Sequence, residues 1–152
     1  MYTGLLHTHS LVRWIMLALL ILSVFKAYNG WKSKRSFTAS DKKLTLFTLI
    51  FSHLQLLIGF VLYMVSPIVQ SAILDMGAAM KDKMLRFWAV EHISVMIISI
   101  LIITIGNALS KKASSDTEKF KKIFIFFGIG LVLILISIPW PFLQTGAGRR
   151  WF

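Results

Sequence analysis

Four long apolar segments decide what this chain can fold into: roughly residues 9–29, 44–66, 87–109 and 120–142. Each is near or above the ~20 residues an α-helix needs to cross the hydrocarbon of a bilayer at ~1.5 Å per residue. Hydrocarbon offers no partner to an open backbone N–H or C=O, so each segment is expected to be helical. The third and fourth are rich in β-branched residues, which would favour strands in water, but the backbone requirement overrides that preference. The expectation is an all-α integral membrane protein. Residues 1–152 would form a single four-helix transmembrane bundle in a lipid bilayer.

Composition supports this reading. Hydrophobic residues make up 57% of the chain and charged residues 15%, against about 25% charged in a typical soluble domain. A soluble globular domain and a disordered chain are excluded on those figures. The absence of cysteine excludes a disulfide scaffold, a thiolate nucleophile and an iron–sulfur cluster. Lys plus Arg is 17, Asp plus Glu is 6, and the net charge is +11. In a soluble protein that surplus would suggest nucleic acid. Here its placement explains it, and no nucleic-acid partner is expected.

Lys26, Lys32, Lys34, Arg35, Lys42 and Lys43 cluster after the first segment, and Lys111, Lys112, Lys119, Lys121 and Lys122 between the third and fourth. The other side carries only Lys81, Lys83, Arg86, Arg149 and Arg150, with Arg13 at the rim of the first segment. Basic residues are retained on the cytoplasmic side of membrane spans, so both termini are expected outside. Trp14, Tyr63, Trp88, Trp140 and Trp151 then lie towards the outer interface and Trp31 towards the inner one.

Local signals set the boundaries. Asn29-Gly30 is expected to close the first helix, and Ser40-Asp41 to start the second with an acidic side chain in its first turn. Ser66-Pro67 ends the second helix or begins another, and Pro139-Trp140-Pro141 ends the fourth. The connection over 68–85 reads either as a short amphipathic helix on the outer surface or as a solvated loop. No basic region precedes the first apolar run and no small-residue cleavage site follows it, so a cleavable signal is not expected.

Ionisable residues in membrane spans are costly and therefore candidates for function. They are His7, His9 and Arg13 at the first segment, His53 in the second, and Glu91 and His92 in the third. At ~100° per residue His9, Arg13, Met16, Leu20, Ser23 and Ala27 share one helix face, and Trp88, His92, Met96, Ser99, Ile103 and Gly106 share another. Small and polar residues favour close helix contact in lipid, so both histidines are expected to face the bundle interior. Thr48, Ser52, Gln55 and Gly59 form the small-polar face of the second segment, with Gln55 an expected interhelical hydrogen bond. His53 lies far round from that face and near mid-membrane. Helical rise puts His9 and His92 closer in depth to each other than either is to His53.

Imidazole is a haem ligand, and a four-helix bundle can hold a haem between facing helices. Arg13, with Arg149 and Arg150, could pair with the propionates, and Met16 and Met96 could pack on the macrocycle. His7, His9, Glu91 and His92 together also suggest copper or zinc near the outer surface. A third reading is a structural or accessory subunit whose polar groups are satisfied within the bundle. Hydrolytic chemistry has no motif here: no serine–histidine–acid set at one level, no His-Glu-x-x-His, no phosphate loop and no acidic dyad.

Leu5 to Trp14, His53 to Tyr63, Arg86 to His92, Ile138 to Phe142 and Gly148 to Phe152 together resemble a family of small bacterial four-span inner-membrane proteins labelled cytochrome-b-like. The resemblance implies haem b and electron transfer near quinones, with His9, His53 and His92 as candidate ligands and Arg13 as a propionate partner. It implies residence in the bacterial inner membrane; three in-span histidines with Arg13 then make exchange of electrons with quinol or respiratory-complex subunits the leading expectation, and the second segment, polar on two sides, could meet a cofactor or a second copy of the chain. The chain lacks two histidines on one helix a leaflet apart, so at most one haem is expected.

Overall fold

The computed structural model describes residues 2–143. Arg149, Arg150, Trp151 and the motif Gly148 to Phe152 lie outside them. The described residues form α1 (Tyr2–Ser33), α2 (Ala39–Val65), α3 (Pro67–Leu74), α4 (Met76–Ala79), α5 (Lys83–Arg86), a π turn (Phe87–Glu91), α6 (His92–Lys112) and α7 (Asp116–Ser137). The segment from α5 to α6 is one continuous helix, Lys83–Lys112. It and α1, α2 and α7 are long and apolar enough to cross a membrane. No strand occurs among the described residues.

Helix α1 packs against α2 and α7, α6 packs against α7, and α2 touches α6 more sparingly. The four long helices therefore close a ring in the order α1, α2, α6, α7, each antiparallel to its neighbours, as short connections require. The centre is built from Met16, Leu17 and Leu20 of α1, Ile103 of α6, and Phe120, Ile123, Phe127 and Ile134 of α7. Many large aliphatic side chains point outward, among them Leu57, Leu101 and Ile136. In lipid that exposure has no hydrophobic cost, because acyl chains are as apolar as leucine.

What holds the helices together is close approach and buried hydroxyls. A Cβ on Gly106 would fall 2.2 Å from Phe126 Cβ, and one on Gly130 2.6 Å from Ile103 Cγ1. Glycine is what lets α6 and α7 come this near. Between α1 and α2, the Thr48 hydroxyl donates to the Leu44 carbonyl at 2.9 Å and accepts from the Ser23 hydroxyl at 2.8 Å.

The first helix does not stop at Asn29-Gly30. Gly30 is buried within α1, where a Cβ would strike the Phe120 ring at 2.6 Å, and the helix runs on to Ser33. Lys34 makes the break, with φ +53°, a left-handed conformation usually given to glycine or asparagine. Helix α2 starts two residues earlier than expected, because Thr38 is its N-cap. Asp41 reaches back to the Thr38 backbone N–H at 2.9 Å and also receives two guanidinium bonds from Arg35 at 2.7 and 2.8 Å. The Asp41 hydrogen bonds raise the Arg35 pKa above its ordinary value. The same guanidinium lies 4.5 Å from the centre of the Phe120 ring.

The connection after α2 is helical rather than a solvated loop. Ser66 caps the end of α2 and Pro67 opens α3, so both readings of Ser66-Pro67 hold at once. Val69 and Ala72 are buried and Leu74 is exposed, which makes α3 an amphipathic piece lying across one end of the bundle. Helix α7 ends at Ser137, short of residue 142, because Pro139 and Pro141 cannot supply the next backbone donors.

Candidate functional site

A cavity of about 600 Å³ opens at the end of the bundle where α1 begins, α2 ends and α3 crosses. That is within the ~300–1,000 Å³ typical of small-molecule and cofactor sites. Its walls include Leu56, Phe60, Ile100, Ile134 and Ile138, with Met16 and Met96, and its polar groups include His7, His9, Ser10, Arg13, Gln55, Tyr63, Trp88 and His92. The two basic loop regions lie at the opposite end.

His92 is the most firmly placed of these groups. Its Nδ1 lies 2.8 Å from the Ser137 carbonyl. A carbonyl only accepts, so Nδ1 carries the proton, and in neutral imidazole the lone pair then belongs to Nε2. The acceptor is available for a reason written in the sequence. An α-helical bond to the Ser137 carbonyl would come from residue 141, which is proline and has no N–H. The Leu135 carbonyl is left open in the same way by Pro139, and Trp140 Nε1 donates to it at 3.0 Å. Pro139-Trp140-Pro141 thus opens two carbonyls at the end of α7; an indole takes one and His92 the other.

The approach to His92 is a π turn, whose extra residue widens the helix. Tyr63 of α2 donates to the Ala89 carbonyl in that turn at 2.9 Å. Phe87 and Trp88 flank the His92 ring at 5.7 and 5.6 Å between centres.

His9 is held differently. The Gln55 amide nitrogen lies 3.0 Å from the His9 carbonyl and 3.0 Å from His9 Nε2. Because the carbonyl must accept, the amide face turned to His9 is the NH₂ group. Its second hydrogen then meets Nε2 as a lone pair, and His9 is protonated on Nδ1. His9 Nδ1 and Gln55 Oε1 are buried and meet no hydrogen-bond partner among the described residues. A buried polar atom left so costs about 1–3 kcal/mol. Gly59 makes room for the ring: a Cβ there would lie 3.3 Å from His9 Cε1.

The structure thus brings His9, His92 and Arg13 to one cavity and leaves His53 out of it. His53 is exposed on α2, with Nδ1 donating to its own helix at the Leu49 carbonyl, 2.8 Å away. Glu91 is exposed too and pairs with Arg86 at 2.6 Å. His7 lines the cavity with His9 and His92, and Glu91 does not. Among the described residues no three histidine or acidic side chains gather as metal ligands.

Two participants escape the sequence reading: Tyr63 reads there as an interfacial aromatic, and Ser137 acts through its backbone. The Ser137 signal was present as a proline four residues on.

No protein-family model matches the chain, nor does any curated protein or solved structure.

Proposed function

We propose that this protein is a membrane-embedded carrier of one b-type haem that exchanges electrons with quinol or a respiratory partner. The observation that carries the reading is the pairing of His92 with the Ser137 carbonyl inside the cavity. Metal-ligating histidines are commonly fixed by such a second-nitrogen bond, which sets the tautomer and strengthens the ligating nitrogen. The cavity residues fit the group in kind. His92 would hold the iron through Nε2, Arg13 would face a propionate, and Met16 and Met96 would pack on the ring. When bound, a b-type haem supplies reversible one-electron transfer. The chain's own share is to orient His92, to offer a cation at the rim and to exclude water with Leu56, Phe60, Ile100 and Ile134.

In the bacterial inner membrane that the resemblance implies, the excess of basic residues at the far end favours that end in the cytoplasm. The cavity then lies in the outer half of the bilayer, and both termini outside.

The test is an absorbance spectrum of protein purified from haem-replete cells, oxidised and then reduced. A Soret band that sharpens on reduction is expected, and its loss in His92→Ala. Wild-type protein without a Soret band would overturn the reading.

A further inference from the structure

The bundle places two imidazoles in one cavity, both protonated on Nδ1 but held by different partners. His92 turns its protonated nitrogen outward to the Ser137 carbonyl, so its lone pair is on Nε2. His9 has its Nε2 lone pair covered by the Gln55 amide at 3.0 Å, and the proton on Nδ1. The Gln55 side chain cannot relax this by turning over, because an oxygen would then face the His9 carbonyl at 3.0 Å. Gln55 is itself only 6% exposed, and its Oε1 finds no partner among the described residues. Both amide hydrogens are spent on the one residue. A glutamine serving only to join α1 and α2 would need neither bond to reach the ring.

We infer that Gln55 is a positioning residue that keeps His9 from ligating a metal, so that the cavity presents one ligating imidazole, His92, and not two. The capped tautomer stands on the hydrogen bonds alone. Its consequence for haem ligation rests on the reading above. With His92 alone, a bound haem would still be open to a weaker donor or an incoming ligand; with both imidazoles it would not.

The two parts are tested separately. In protein without haem, two-bond ¹⁵N–¹H correlation spectra of ¹⁵N-histidine-labelled protein in detergent report which ring nitrogen carries the proton. His9 is expected as a fixed Nδ1–H form in wild type, and as exchanging tautomers in Gln55→Leu. An Nε2–H form in wild type overturns the inference without touching the haem reading, and needs no variant to fold. With haem loaded, near-infrared magnetic circular dichroism identifies the axial ligands. Wild type is expected to lack the two-imidazole signature, Gln55→Leu to gain it, and Gln55→Leu/His9→Ala to lose it again. A two-imidazole signature already present in wild type and abolished by His9→Ala would overturn it. Failure to bind haem with the Nδ1–H form intact removes the haem reading and leaves the capping role standing.

Discussion

His92 of α6 and Pro141 beyond α7 act on the same atom. The proline withholds the N–H that would close the helix on the Ser137 carbonyl, and the imidazole supplies one at 2.8 Å instead. Replacing the proline restores a competitor for that oxygen. In Pro141→Ala the hold on His92 should weaken by about 1 kcal/mol, the worth of one ordinary hydrogen bond. Haem occupancy, measured by titration against apo-protein, should fall about fivefold at that cost. Pro139→Ala, which frees a competitor for Trp140 alone, should leave the affinity within twofold of wild type on the same energy scale.

The contact of α6 with α7 depends on glycine at defined places. Gly106→Ala must displace Phe126 at its Cβ, which cannot swing aside as a long side chain would. Overpacking of that kind costs about 1–3 kcal/mol. Gly128→Ala meets nothing within 4 Å and should be neutral or slightly stabilising through helix propensity. Unfolding in mixed detergent, followed by circular dichroism, should separate the two variants; equal stabilities would show that the close approach carries no energy.

Asp41 accepts from Arg35 twice and from the Thr38 backbone and hydroxyl. The carboxylate is almost wholly buried and the guanidinium a third exposed. Asp41→Asn keeps the shape but puts an NH₂ against donors, and should cost about 2–3 kcal/mol. Asp41→Asn paired with Arg35→Met should recover part of it, since no part-buried guanidinium is then left facing the amide. A thermal melt of the three variants gives the comparison.

Because the chain contains no cysteine, single cysteines can report its orientation without further change. Ser36→Cys and Ser114→Cys, in the two short loops at the basic end, should react with a membrane-impermeant maleimide only after the membrane is opened. Ser71→Cys in α3 should react in intact cells. The reverse pattern would turn the molecule over and put the cavity in the inner leaflet.

The spans were legible in the sequence because hydrocarbon imposes one answer on the backbone. So was the placing of His9 and His92 at one end of the bundle, since helix phase and depth depend only on counting residues. Gln55 bonds across helices as its place on the small-polar face of α2 suggested. Gly30 was misread because a glycine that ends a helix and one that admits a neighbour look alike until Phe120 is placed against it. His53 drew attention as a polar group at depth, but a bond to its own helix satisfies one ring nitrogen. The π turn left no readable mark, since its cause lies partly in Tyr63 on another helix.

That turn has a consequence for how the molecule tolerates insertion and deletion. Everything after Glu91 is out of phase with the part before it by the one residue the wide turn absorbs. Removing one residue between Phe87 and Glu91 would restore ordinary winding and leave the stretches on either side where they are, because the wide turn is what takes up that residue. Elsewhere in the same helix a one-residue loss scrambles a buried face. Here it would leave the buried face from Ser99 to Ser110, and the stretch before the turn, in place.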